Sequence, residues 1–125
     1  GVLPENMSAI CDFDTVVSHY EWWTPEWREA IEKGLFTYRD WQGGQMARDM
    51  TLYVDDDGRA YHIYSSEDNL TLNIALLSDD YLSYSGRYRR MMPAGHNEAP
   101  AVFKTNDKYF MITGVDFDSG GVFGE

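Results

Sequence analysis

Asp49-Met-Thr-Leu-Tyr-Val-Asp-Asp-Asp-Gly58, followed by Tyr61-His-Ile-Tyr-Ser65, returns later in the chain as Glu98-Ala-Pro-Ala-Val-Phe-Lys-Thr-Asn-Asp107, followed by Tyr109-Phe-Met-Ile-Thr113. With one gap the two stretches align end to end. Each reads as an acid, an apolar strand, a polar turn and an aromatic strand. A fixed period of about 20–50 residues marks stacked or radial repeat folds. In such folds equivalent positions converge, so Asp49 and Glu98 are expected to face each other in space. Two converging carboxylates are the minimum equipment for acid/base cleavage of a glycosidic bond. Taken singly, each acid reads first as a strand-end carboxylate that satisfies backbone N–H groups; the paired alignment is what favours a site.

Outward from the repeat, the chain is all strand and turn. Met50 to Val54 reads as a strand. Asp55-Asp-Asp-Gly58 reads as a hairpin turn, because Asp-Gly supplies the positive φ angles of tight hairpins. Ala60 to Ser65 is the return strand, Leu70 to Leu77 a third, and Tyr84 to Arg90 a short outer strand after the turn at Ser78-Asp79-Asp80. Pro93-Ala94-Gly95 leads into the second copy, whose two strands flank Asn106-Asp107 and stop near Thr113. Four short antiparallel strands and then a restart describe one β-propeller blade and roughly half of another, whereas a closed propeller needs at least about four blades.

Upstream, Thr24-Pro-Glu-Trp-Arg-Glu-Ala-Ile-Glu-Lys-Gly34 predicts a short helix. Thr24 suits the N-cap and Pro25 the first helical position. Glu26 and Glu29 early and Lys33 late match the helix dipole, and Gly34 suits the left-handed position after the end. Trp27, Ala30 and Ile31 form an apolar stripe at helical spacing. The aromatic group Tyr20, Trp22, Trp23 and Trp27 packs on something or lines a ligand groove. Gly43-Gly44 breaks the chain. Residues 1–46 therefore read as an N-terminal segment with a short helix, and residues 47–125 as partial propeller blades. The tail from Asp116 to Glu125 carries no assignment.

Bulk properties bound the chemistry. The hydrophobic share of 43% and aromatic share of 15% over 125 residues support one packed core. A formal net charge of −11 disfavours nucleic acid and an anionic membrane surface as partners. It leaves a neutral ligand such as a sugar, or simple solubility. Cys11 is the single cysteine, so no internal disulfide forms. No run of about 18 apolar residues predicts a membrane span, and no signal peptide is visible. The first residue, Gly1, is compatible with a processed product or a fragment. Asp55, Asp56 and Asp57 lack the spacing of a calcium loop and read as a turn. His19, His62 and His96 show no ligand spacing, so neither a metal nor a cofactor is expected.

Several of these stretches together resemble glycoside hydrolase family 43, a group of five-bladed β-propeller enzymes, and within it the exo-β-1,3-galactanase-like branch. They are Ala47-Arg-Asp-Met-Thr-Leu-Tyr-Val-Asp-Asp-Asp-Gly58, Tyr61-His-Ile-Tyr-Ser-Ser-Glu-Asp-Asn69, Leu77-Ser-Asp-Asp-Tyr-Leu82 and His96-Asn-Glu-Ala-Pro-Ala101. Phe103-Lys104 and the Tyr109 to Thr113 strand continue the likeness, which covers a little over half the chain. The resemblance implies that Glu98 is the proton donor to the leaving oxygen and that Asp49 tunes and orients it. A second carboxylate nearby disfavours ionisation of the first, as an inverting hydrolase needs of its donor. Arg48 beside Asp49 could keep that acid ionised. Asp68 and Asn69 would border the sugar-binding end, or form a plain turn between strands two and three.

The family's general base, or the amide that positions water in the galactanase branch, has no match in residues 1–46 or after Thr113. Where the family places a Ser and a Cys-Thr-Gly-Trp-like turn, Gly114-Val-Asp-Phe-Asp-Ser119 stands instead. The expectation is an all-β partial five-bladed propeller, about one and a half blades with a short N-terminal helix. It would be a fragment or truncated member whose chemistry is inverting hydrolysis of galactan- or arabinan-type side chains, and weak or absent in the chain alone. The alternative is a non-catalytic carbohydrate-binding or structural remnant. The expected partner is a carbohydrate, with self-association through exposed blade edges as a further expectation. The family points to a secreted or periplasmic setting.

Overall fold

The computed structural model describes residues 20–37 and 46–115. The features read at Cys11, His19, Gly43-Gly44 and the 116–125 tail lie outside the described residues. The described chain runs α1 (Pro25–Glu32), β1 (Met50–Val54), β2 (Ala60–Ser66), β3 (Thr71–Leu77), β4 (Tyr84–Met91), β5 (Asn97–Thr105) and β6 (Lys108–Val115). The first four strands form one antiparallel sheet in the order β1-β2-β3-β4, and β5 pairs with β6. That is one complete four-stranded blade and the first hairpin of a second. Strand ends fall within one or two residues of the sequence reading. Leu70 stays out of β3 because it closes a turn, its N–H donating to the Glu67 carbonyl at 3.3 Å.

The two hairpin turns differ. At Asn106 and Asp107 both residues are left-handed, with φ of 50° and 58°, as a two-residue hairpin demands. In the first turn only Gly58 is left-handed, at 82°. The sequence reading gave that role to the Asp-Gly pair. Asp57 instead keeps negative φ and spends its side chain on the backbone, accepting the Arg59 N–H at 2.9 Å. The Asp55 side chain likewise accepts the Asp56 N–H at 2.8 Å. Such local bonds are what aspartates supply in turns.

Helix α1 forms as its sequence dictates. The Thr24 hydroxyl accepts the Trp27 N–H, and Pro25 opens the helix. Trp27, Ala30 and Ile31 are buried and share a core with Phe36, Leu70 and Ala94. The helix thus packs on the β2–β3 turn and on the loop after β4. A buried ion pair locks the same joint. Arg90 on β4 donates to both carboxylate oxygens of Glu67, at 2.7 and 3.0 Å. It also donates to the Ile31 carbonyl at 2.7 Å, at the C-terminal end of the helix. Thr37 adds a hydroxyl donor to Glu67 at 3.0 Å, and Glu67 is fully buried.

The second hairpin lies across the first sheet, with β5 against β1, β2 and β3. Tyr53, Tyr61, Ile63, Ile74 and Met91 face Val102, Phe110 and Met111 across a seam of about 390 Å³. At the far end of the strands, the Tyr109 hydroxyl donates to Asp55 at 2.5 Å, and Lys104 donates to Asp56 at 2.6 Å. The opposite face of β1 is bare: Met50, Leu52 and Val54 are 54%, 67% and 55% exposed. In a radial stack of blades such an apolar face is where the neighbouring blade packs.

Candidate active site

The antiparallel order carries the head of β1, the β2–β3 turn and the head of β5 to one end of the blade. At the head of β1, the Arg48 N–H donates to the Ser65 carbonyl at 2.8 Å and the Ser65 N–H to the Asp49 carbonyl at 2.9 Å. This extends the β1–β2 ladder past its formal end and fixes the Asp49 backbone. The Asp49 carboxylate then reaches across to β5 and accepts the Ala99 N–H at 3.1 Å. A second contact to β5 comes from Ser65, its hydroxyl donating to the Asn97 carbonyl at 2.7 Å. Asn97 in turn donates to the Thr113 hydroxyl at 2.8 Å on β6.

The strand that carries Glu98 is irregular there. The β5–β6 register shifts between Glu98 and Ala101, and Ala99 is left-handed with φ of 46°. Bulges of this kind bend a strand and re-aim its side chains. The half-buried Glu98 side chain accepts a hydrogen bond from the Asn69 amide Nδ2. Asn69 comes from a turn in which Glu67, Asp68 and Asn69 are all left-handed, at 56°, 61° and 62°. Three consecutive L-residues in that region are costly, and such strain collects where a structure holds a site in place. Asp68 pairs with Arg48 at 2.8 Å.

All four residues singled out from the sequence therefore meet at one end of the blade. Asp49 holds the amide next to Glu98, Asn69 holds Glu98 itself, and Asp68 is tied to the residue before Asp49. Arg48, read from the sequence as a counter-charge for Asp49, pairs with Asp68 instead, because neighbouring side chains on an extended strand point to opposite sides. Sequence reasoning missed Ser65, Asn97 and the Ala99 amide. Ser65 left a trace: it is a polar residue on β2, whose positions are nearly all buried. A backbone amide leaves none.

Against this end sits the aromatic group. Trp27 is buried, while Tyr20, Trp22 and Trp23 pack around it half-buried. The Trp23 ring lies 4.9 Å from that of Trp27 and 5.0 Å from that of the buried His96. The core-packing reading of this group therefore holds for Trp27. A cleft of about 540 Å³ between the two far-end turns is lined by Asp57, Arg59, Asp79 and Tyr81. Neither that cleft nor the seam includes Asp49, Asp68, Asn69 or Glu98. Among the described residues no group of three His, Cys, Asp or Glu converges as a metal site.

Comparison with known proteins bears on what this end of the blade belongs to. The profile of "Glycosyl hydrolases family 43" matches residues 24–120. A solved GH43 β-1,3-galactosidase, BT3683, in complex with galactodeoxynojirimycin, is 65% identical with a TM-score of 0.73, over 80% of this chain and 29% of that one. An exo-β-1,3-galactanase from Clostridium thermocellum is 32% identical with a TM-score of 0.55, over 58% of this chain and 16% of that one. A Phanerochaete chrysosporium exo-β-1,3-galactanase solved with β-1,3-galactotriose is 30% identical with a TM-score of 0.56, over 62% of this chain and 18% of that one. A search of curated proteins gave no match. The chain thus spans less than a third of the length of these relatives. Its blade and half-blade are part of a β-propeller, and the chain belongs to glycosyl hydrolase family 43.

Proposed function

We propose that this chain carries the acid half of an inverting glycosidase site for β-1,3-linked galactan side chains. Glu98 gives its proton to the leaving oxygen. Asp49 holds the strand that presents Glu98, and Asp68 and Asn69 border the sugar. The observation that supports this reading best is the pair of contacts made at one bulge. Asn69 engages the Glu98 carboxyl, while Asp49 engages the amide of the next residue, Ala99. Two acids from equivalent places in a repeat are thereby fixed relative to each other. That is what proton delivery to a glycosidic oxygen requires: geometry first, then protonation state.

In an inverting reaction the acid protonates the leaving group as the C–O bond breaks. Water attacks from the opposite face of the ring, losing its proton to a second group. The residues named here supply the first part. The likeness to structures solved with galactodeoxynojirimycin and β-1,3-galactotriose supports a galactose-based substrate. The test is a chimera in which this chain replaces the matching segment of BT3683. It should cleave a β-1,3-galactosidic substrate, and Glu98→Gln in the chimera should abolish turnover. Retained turnover in that variant would remove Glu98 from the donor role.

A further inference from the structure

We propose that Ser65 is a positioning residue for the proton donor: together with Asp49 it clamps the two peptide planes that flank Glu98. The proposal rests on the reading of Glu98 as the donor and adds the residue that aims it.

Glu98 sits between two peptide groups. The one before it carries the Asn97 carbonyl, and the Ser65 hydroxyl donates to that oxygen at 2.7 Å. The one after it carries the Ala99 N–H, which donates to the Asp49 carboxylate at 3.1 Å. A peptide group is planar, so holding the plane on each side of a Cα fixes that residue's φ and ψ. The direction of the Glu98 Cα–Cβ bond is fixed with them.

The β5–β6 ladder alone does not set this stretch. Its register shifts between Glu98 and Ala101, Ala99 is left-handed with φ of 46°, and Pro100 has no N–H to offer. Where the ladder is interrupted, the two bonds from the first blade steer the strand.

Ser65 is itself held fast. It is fully buried on β2. Its N–H donates to the Asp49 carbonyl at 2.9 Å, and its carbonyl accepts the Arg48 N–H at 2.8 Å. Its backbone therefore grips the strand of Asp49 while its side chain grips the strand of Glu98. A carbonyl oxygen only accepts, so the Ser65 hydroxyl is the donor and its rotor is set. Burying a hydroxyl costs free energy unless it is hydrogen-bonded, and the bond to the Asn97 carbonyl offsets that cost. Alanine would fill the same place in the sheet without it, and without the clamp.

Aim matters to a general acid, because the proton must reach the glycosidic oxygen as the C–O bond breaks. Small misplacements in such geometry cost large factors in rate. A leaving group that departs as a stable anion needs no proton, so its release is indifferent to where the donor points.

The experiment compares two substrates in the BT3683 chimera. One is β-1,3-galactobiose, whose departing sugar oxygen must be protonated. The other is 2,4-dinitrophenyl β-galactoside, whose phenolate leaves unassisted. Ser65→Ala should lower kcat/KM for galactobiose about three- to tenfold and leave that for the dinitrophenyl galactoside within about twofold. A loss of folded protein would lower both alike. Equal losses on the two substrates, or no loss on either, overturn the role of Ser65. Glu98→Gln should show the same selectivity with a larger loss, and an unselective loss there overturns the donor reading instead. In the 125-residue chain itself, Ser65→Ala should speed amide hydrogen exchange at Ala99 at least about fivefold, with the amides of β3 unchanged. Unchanged protection at Ala99 overturns the clamp whether or not the chimera is active.

Discussion

The Asp49 carboxylate accepts the backbone N–H of Ala99 at 3.1 Å, so the head of one blade grips the strand residue that follows Glu98 in the next. The two acids of the repeat do not merely sit at equivalent places. One of them holds the backbone that aims the other.

That grip predicts a graded response at Asp49. Hydrogen bonds to a charged group contribute about 1.5–3 kcal/mol. Spent on orienting the donor, this corresponds to roughly 10- to 100-fold in rate. In the BT3683 chimera, Asp49→Ala should lower kcat/KM by that factor. Asp49→Asn keeps an acceptor oxygen and should fall between the two. Equal and small losses in both variants would mean that the Ala99 contact does not aim Glu98.

Removing Arg90 should cost far more stability than its place on the outer strand β4 suggests. Glu67 is fully buried, and Arg90 is its ion-pair partner at 2.7 Å. Arg90 also caps the Ile31 carbonyl of α1. Breaking such a pair leaves an uncompensated buried charge, at about 3–5 kcal/mol. Arg90→Ala should lower the urea midpoint accordingly, whereas Glu67→Leu combined with Arg90→Met should recover most of the loss. A midpoint unchanged by Arg90→Ala would show that the joint between helix and blade rests on apolar packing alone.

The far-end link between the blades should be acid-sensitive. The hydrogen bond from Tyr109 holds the Asp55 carboxyl below its ordinary value, helped by the Asp56 N–H and the Lys104 charge. A depressed carboxyl stabilises the fold above its unfolded pKa, near 3.8, and the contribution is lost as pH falls through the folded value. The link should be intact at neutral pH and fade below 3.8. Urea unfolding at about pH 6 and about pH 3 should show Tyr109→Phe less stable than the parent at the higher pH, with the gap closing at the lower. A gap independent of pH would assign Tyr109 a packing role only.

These contacts show how far the sequence could be read. The strands were legible because Met50 to Val54 and Tyr109 to Thr113 are short apolar runs bounded by turn residues. The buried face of α1 was legible because Trp27, Ala30 and Ile31 recur at helical spacing. The meeting of Asp49 with the Glu98 segment followed from the repeat, since equivalent residues of stacked blades come to one end. The Glu67–Arg90 pair was not legible. It joins a turn to an outer strand through the end of a helix, and no period records such a joint. The Ala99 donor was invisible because every non-proline residue carries the same N–H. What singles it out is the bulge, which is a property of the β5–β6 register rather than of any residue type.

The bare face of β1 leads to the last prediction. Met50, Leu52 and Val54 are all more than half exposed on one side of a five-residue strand, and that strand is an edge of its sheet. On the second hairpin Phe103, Tyr109, Phe110 and Ile112 are exposed as well. A row of exposed apolar side chains on an edge strand is both an interface and a template for strand pairing. The isolated chain should therefore associate with itself as its concentration rises, through the surface that a neighbouring blade covers in a complete propeller. Sedimentation velocity across a concentration series should show a growing fraction of larger species. Leu52→Lys puts a charge at the centre of the patch, where natural edge strands carry one to prevent pairing, and should return the chain to monomer with its far-ultraviolet circular dichroism unchanged. A parent chain that stays monomeric throughout the series would show that β1 is shielded by some other part of the polypeptide.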